Sequence, residues 1–289
     1  MLTTAIVTGA TGFVGTHLRN ELVANGVEVT ALCRENSLNI SRLPQEIAWV
    51  YSLDDVPAAD VFYHLAWQDA SGAGRQNAAV QSENVTLALN ALNAAYASGC
   101  KRFVILGTVY EKFADTVRKR RSYGGSDFYI LCKDLTHALT NQLAYKLGIE
   151  YTYVQICHPF GKFVKPEQML ANVIGGLLDG KAVELGPGTE YYDIVAVEDL
   201  VCGLRLAGES DNVRREYYIG SGNPRLLRDY LTEARRVLGV DTPLNFGARP
   251  HDGLHFQRKW FNISDAKHDL SYSAKLGFEK MVKGYIENG

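Results

Sequence analysis

The sequence contains no C-x-x-C pair, and its five cysteines (33, 100, 132, 157 and 202) are scattered and odd in number. That distribution offers no disulfide framework and no metal site, and the thiols are expected to be reduced and mostly buried, as in a cytosolic protein. No apolar run reaches membrane-spanning length. A basic-then-apolar leader is missing as well, because a strand begins almost at the N-terminus, so no signal peptide is expected. Neither sign of charge is in excess: 30 Lys and Arg stand against 32 Asp and Glu, a formal net charge of −2. Such a balance gives no global attraction for nucleic acid or an anionic membrane. Low-complexity linkers and internal repeats are also absent. What remains is a chain of 289 residues, 46% hydrophobic and 21% charged, ordinary globular usage with ample material for a core. A cytoplasmic location is expected.

Short apolar runs alternate with longer helical patterns, the mark of βαβ units and a parallel sheet. Strands are expected at Leu2–Thr8, Glu28–Cys33, Ala48–Ser52, Val61–Ala66, Arg102–Gly107 and Tyr151–Cys157. Helices are expected at Phe13–Asn25, about Gln76–Ser98 and Phe128–Leu147, each closed by a glycine. Beyond residue 158 the regularity falls. The expected architecture is α/β, a Rossmann-type doubly wound parallel sheet over residues 1–160 with strands from the C-terminal half completing it. Residues 161–289 form mainly a smaller substrate-binding lobe on the sheet's carboxyl edge, where open α/β sheets bind ligands.

The first strand runs into Thr8-Gly9-Ala10-Thr11-Gly12-Phe13-Val14-Gly15 and then a helix. Glycines there let backbone N–H groups approach a pyrophosphate at the positive helix end. The expected cofactor set is Gly9, Thr11, Gly12, Phe13, Val14 and Gly15, with Ser52, Leu53, Leu65 and Ala66 at later strand ends. Dinucleotide folds that take NAD usually put a carboxylate at the end of the second strand. By register Cys33 stands there, with Arg34 beside it and Glu35 one residue late. A guanidinium suits the 2′-phosphate of NADP through forked, charge-assisted hydrogen bonds. NADP(H) is therefore favoured, and NAD(H) stays open through Glu35.

Tyr129 and Lys133 are four residues apart, on one face of a helix. An ammonium held there stabilises a phenolate and brings its proton into working range. Beside a dinucleotide, this pair points to hydride transfer coupled to proton transfer.

Taken in order, the glycine loop, His64-Leu65-Ala66, Gly107-Thr108-Val109-Tyr110-Glu111, Tyr129-x-x-x-Lys133 and Asp193-Ile194-Val195-Ala196-Val197-Glu198-Asp199-Leu200 resemble the extended short-chain dehydrogenase/reductases. These are NAD(P)-dependent nucleotide-sugar epimerases, dehydratases and reductases, and the resemblance spans essentially the whole chain. It implies that Tyr129 exchanges a proton with the sugar oxygen and that Lys133 lowers its pKa and holds the nicotinamide ribose. Tyr129 and Lys133 thus also belong to the cofactor set. Thr108 is implied as the second donor to the same oxygen. His158 stands where relatives carry an Asn that contacts the sugar diphosphate, Pro159 and Phe160 are implied to line the nicotinamide, and Arg249 is the candidate for the diphosphate. The basic run Arg118-Lys119-Arg120-Arg121 lies between Thr108 and Tyr129, as a solvated face or a steering patch.

Departures from the pattern narrow the reaction. Dehydratases of this type place an Asp-Glu pair after the threonine, but here Val109-Tyr110 follow. No cysteine lies in Thr108–Lys112, unlike the bifunctional epimerase/reductases. A 4-keto reductase of a nucleotide-linked 4-keto-6-deoxy sugar, with a role in polysaccharide biosynthesis, is favoured. An NAD-dependent 4-epimerase and a non-catalytic NADP-binding sensor or scaffold are the alternatives. The partner is a nucleoside-diphosphate sugar. The paired long helices suit a dimer-forming four-helix bundle, so a homodimer is expected.

Overall fold

The computed structural model describes residues 2–42, 47–211 and 213–288. The first half contains β1 (Thr4–Thr8), α1 (Phe13–Ala24), β2 (Glu28–Leu32), β3 (Ala48–Val50), β4 (Val61–His64), α2 (Ala78–Ala97) and β5 (Arg102–Leu106). There follow α3 (Ala114–Lys119), α4 (Asp127–Leu147), β6 (Glu150–Gln155), β7 (His158–Phe160), α5 (Met169–Leu178), β8 (Val183–Leu185), β9 (Tyr191–Tyr192) and β10 (Ile194–Ala196). The chain ends with α6 (Val197–Glu209), β11 (Glu216–Tyr218), β12 (Arg225–Leu226), α7 (Leu227–Leu238), β13 (Leu244–Phe246), α8 (Ser264–Leu270) and α9 (Phe278–Asn288).

Seven strands form one sheet in the order β3-β2-β1-β4-β5-β6-β11, with every pair parallel. The alternation of strand and helix patterns gave this doubly wound class correctly. Strand side chains alternate between two apolar layers. Val7, Tyr63, Val104 and Val154 face Leu18 and Leu22 of α1 and Leu200 and Leu204 of α6. Ile6, Phe62, Phe103 and Tyr153 face the small residues Ala88, Ala91 and Ala95 of α2. Their lack of bulk lets that helix lie close on the sheet.

β11 joins the edge from the C-terminal half, pairing Tyr217 with Val154. Arg102 at the start of β5 reaches the end of α6, where Nη1 donates to the carbonyls of Ala207, Gly208 and Ser210 at 3.3, 2.7 and 2.8 Å. Its Nε and Nη2 donate to Glu150 at 2.8 and 2.6 Å. The otherwise orphaned carbonyls of the last helical turn are thereby satisfied.

A third apolar cluster, including Phe160, Leu170, Ile174, Leu177, Leu231 and Val282, holds α5, α7 and α9 together as a lobe. The two-stranded pairs β7/β10, β9/β12 and β8/β13 frame it. Two boundaries differ from expectation in ways that shape the site. The helix expected from Gln76 begins at Ala78 because the Asn77 side chain accepts from the Val80 amide at 3.3 Å, an N-cap. Gly72–Gln76 is a separate 3-10 turn. The last expected strand stops at Gln155, and His158–Phe160 pairs with β10 instead.

Candidate active site

β1 has β2 on one side and β4 on the other, so the chain diverges there and opens a crevice at the carboxyl ends of β1 and β4. Thr8 pins that crevice. Its hydroxyl lies 3.0 Å from His64 Nδ1 and accepts the amides of Leu65 and Ala66, each at 3.2 Å. Gly9 then turns with φ +67, and a Cβ on it would stand 2.9 Å from the Ala66 amide. A Cβ on Gly15 would lie 2.1 Å from the Gly9 carbonyl oxygen. α1 starts without a side-chain cap and without an acid in its first turn. Its first-turn amides are thus available to a pyrophosphate at the positive end of the helix. The loop fits a dinucleotide.

A cavity of about 350 Å³ extends from this cradle. It brings together Gly9, Gly12, Phe13, Val14, Gly15, Leu65, Thr108, Tyr129, Lys133, His158 and Pro159 from the expected set. Other expected residues lie off its wall. Thr11 hydrogen-bonds Ser37 at 3.0 Å, and Ser52 caps the turn at Leu53–Asp55 by accepting the Asp54 amide. Ala66 meets the Thr8 hydroxyl through its backbone. Arg34 is exposed beyond the end of β2 and has no ion pair among the described residues. Phe160 is buried against Tyr285 in the lobe core, where an aromatic ring finds more apolar area than the cavity offers. Arg249 is exposed after β13, its amide donating to the Leu185 carbonyl at 3.0 Å.

Tyr129 sits in the first turn of α4, which is held by Asp127 accepting the Gly124 amide at 2.9 Å and Arg120 Nε at 3.1 Å. Arg118 is likewise paired, with Asp115 at 3.0 Å and with Asp134. Two members of the basic run are therefore anchored by carboxylates. Burial raises the Tyr129 pKa, while the Arg75 charge and the Thr108 hydroxyl pull it back. Lys133 is directed to the base of the site, where Nζ donates to the Leu106 carbonyl at 3.0 Å and lies 3.7 Å from the Trp67 ring centre. Burial lowers its pKa to about 7. Thr108 is buried, with its Oγ1 accepting the Tyr110 amide at 3.3 Å. His158 points a buried Nε2 that has no partner among the described residues, and burial lowers its pKa to about 4. A neutral imidazole with one free nitrogen fits a ligand hydroxyl.

Among the wall residues missed in the sequence, Trp67, Tyr110, Tyr192 and Arg75 stand around Tyr129 and His158. Trp67 packs edge-on to Tyr129 at 6.0 Å. Tyr110 and Tyr192 hold each other's hydroxyls at 3.3 Å. Arg75 lies with its guanidinium 4.2 Å from the Tyr129 ring centre and 5.0 Å from that of Tyr110. An arginine after Ser71-Gly72-Ala73-Gly74 was the available signal, since glycines let a turn fold back over a neighbour. Asp193 and Asp199 fix backbone and side chains in the lobe. Asp193 accepts the Tyr218 hydroxyl at 2.7 Å and Asp199 the Leu276 amide at 2.9 Å.

A doubly wound sheet with an uncapped glycine-rich helix start beside a buried Tyr and Lys defines a dinucleotide-dependent enzyme of the extended short-chain dehydrogenase/reductase type. The family model described as the NAD dependent epimerase/dehydratase family matches residues 5–220. The chain belongs to that family. It is similar to CDP-abequose synthase of Salmonella muenchen, 22% identical with 96% of this chain and 95% of that protein covered. Among solved structures it resembles UDP-N-acetylglucosamine 4-epimerase of Methanobrevibacter ruminantium M1, with a TM-score of 0.82 at 17% identity and 100% of both chains covered. UDP-glucuronic acid 4-epimerase of Bacillus cereus superposes with a TM-score of 0.80 at 19% identity, covering 99% of this chain and 98% of that one. No described helix is long and apolar enough to cross a membrane.

Proposed function

We propose that this enzyme is an NADPH-dependent reductase of a nucleotide-linked 4-keto-6-deoxy sugar. The carrying observation is that Thr108, Tyr129 and Lys133 meet on the wall of one cavity with the glycine cradle, while no free carboxylate follows Thr108. Val109 is fully buried, and the Tyr110 hydroxyl is bonded to Tyr192. Glu111, the nearest carboxylate in sequence, is turned away onto Tyr153, Gln155 and His137. A site so arranged has a proton donor for a carbonyl oxygen but, directly after Thr108, no carboxylate pair for eliminating water.

When bound against the glycine cradle, NADPH would supply the hydride that C4 receives. Tyr129 gives its proton to O4, so that the carbonyl becomes a hydroxyl, and Thr108 donates a second hydrogen bond where negative charge develops. Lys133, whose Nζ rests on the Leu106 carbonyl, is assigned to the nicotinamide ribose. His158 contacts the sugar nucleotide, the residues from 161 onward provide the wall opposite Tyr129, and Arg249 is assigned to the diphosphate. Arg34 is assigned to the 2′-phosphate. Arg42 supports an anionic group nearby, since its guanidinium already reaches the Thr11 carbonyl at 3.4 Å. The similarity to CDP-abequose synthase supports a nucleotide-sugar substrate.

NADPH oxidation with a panel of 4-keto-6-deoxy sugar nucleotides tests the proposal. Turnover that Tyr129→Phe reduces by about 10²–10⁴-fold is expected; no turnover with any panel member overturns it. A second reading, a 4-epimerase that retains NAD, is favoured by Glu35 beside Arg34. Tightly held NAD in the purified protein and interconversion of UDP-hexoses without net cofactor use mark that outcome.

A further inference from the structure

The lysine four residues after Tyr129 was expected to be its cation, yet its ammonium is engaged elsewhere. Nζ donates to the Leu106 carbonyl at 3.0 Å and rests over Trp67 at 3.7 Å. The positive charge laid over the tyrosine is instead a guanidinium, with Arg75 Cζ 4.2 Å from the Tyr129 ring centre. Arg75 comes from the 3-10 turn Gly72–Gln76, and that turn is anchored by Arg75 Nε donating to the Ala70 carbonyl at 2.7 Å. Gln81 Nε2 fixes the same turn from α2, donating to Asp69 and Gly74 carbonyls at 3.1 and 3.2 Å. Arg75 forms no ion pair with any described carboxylate. A guanidinium withdrawn from solvent without a carboxylate projects its field onto whatever lies beside it, and here those groups are the phenols of Tyr129 and, a little further off, Tyr110.

We propose that Arg75 is a positioning residue of the reaction, supplying through Tyr129 the charge that stabilises the phenolate left when the proton departs. The inference rests on the role given to Tyr129 under the proposed function. Around the phenol stand Arg75 from the turn, Thr108 after β5, Tyr110 and Glu111 from the following turn, Tyr153 on β6 and Cys157 beyond it, with Lys133 on α4 itself. Glu111 and Cys157 oppose the phenolate, whereas Arg75 and Thr108 favour it. A guanidinium stays charged at every working pH, unlike a buried amine. Arg75 therefore keeps its effect where Lys133 has begun to lose its proton.

The test compares the chain with Arg75→Gln, which keeps a donor for Ala70, and with Arg75→Lys, which keeps the charge. In the reductive direction activity falls as Tyr129 loses its proton at high pH. Loss of the cation raises that alkaline limb by about one pH unit in Arg75→Gln, a tenfold change in the ionisation equilibrium. In Arg75→Lys the limb stays near its original place. A structural role lowers kcat or raises KM but leaves the limb unmoved, and that result overturns the inference. Phenolate absorbance of the unliganded proteins, read against Tyr129→Phe, follows the same ionisation without substrate. An unmoved Tyr129 midpoint there overturns the inference even if no sugar nucleotide is turned over, an outcome that by itself counts only against the proposed reaction. Should Arg75→Gln fail to fold, Arg75→Met, with a stem of similar reach, is read by the same two measurements.

Discussion

Tyr153 on β6 donates its hydroxyl to the Glu111 carboxylate across 2.7 Å, although the two lie 42 positions apart. The same carboxylate accepts from Gln155 and stands 3.2 Å from His137 Nδ1, whose ring stacks on Tyr153 at 3.7 Å. This network fixes the turn that carries Thr108. Glu111→Ala strands the Tyr153 and Gln155 donors inside the protein, at a cost of about 1–3 kcal/mol in urea unfolding. Turnover falls about tenfold or more as Thr108 loses its placement, whereas NADPH affinity measured by fluorescence stays.

Lys133 connects stability to pH. Its pKa in the folded chain is about 7, against an ordinary 10.5. Between those values the unfolded chain binds more protons, so this residue makes stability rise with pH from about 7 to 10.5. Below that window the buried ammonium weakens the fold by its full amount. Lys133→Met is expected to raise the melting temperature at pH 6 relative to the unmodified chain and to lose most activity. An unchanged melting temperature at that pH counts against the lysine being charged within the fold.

Arg34 is assigned to the choice of cofactor. On that assignment, Arg34→Ser removes a charge-assisted contact to the 2′-phosphate and is expected to lower the kcat/KM ratio of NADPH to NADH by about 10-fold or more. The ratio of kcat/KM for the two coenzymes reports it, and a constant ratio shifts the assignment to Arg42.

Leu87 on α2 and Leu135 and Leu139 on α4 remain exposed at 37, 47 and 39%. The homodimer expected from the sequence would pair these helices across a two-fold axis. Leu139→Asp is expected to yield a monomer by light scattering with the circular dichroism of the parent. A parent that is itself monomeric removes the dimer.

Sequence spacing disclosed what depends on neighbours along the chain. Thr8 to Gly15 could be read as a phosphate cradle because strand, turn and helix start are consecutive there. Tyr129 and Lys133 could be placed on one helix because four residues make about one turn. Partners fixed by folding across the chain were not legible in that way. The ammonium of Lys133 goes to Leu106 and Trp67, which belong to other elements. Arg75 reaches Tyr129 only because Asn77 caps α2 and leaves the preceding residues as a separate turn. Phe160 was assigned to the cofactor by its place after β6, but apolar area in the lobe outweighed position.

Arg102 also bears on biosynthesis. The carbonyls it binds in α6 are 105 and more positions further along the chain. On the ribosome, the guanidinium at the start of β5 can meet Glu150 48 positions later, but its Nη1 has to wait 105 positions or more for the carbonyls at the end of α6. The edge of β6 waits too, since β11 arrives later still. Early strands can assemble but cannot close, so a nascent chain halted before α6 is a client for chaperones rather than a small working domain. Slow translation between β6 and α6 would lengthen that exposed interval.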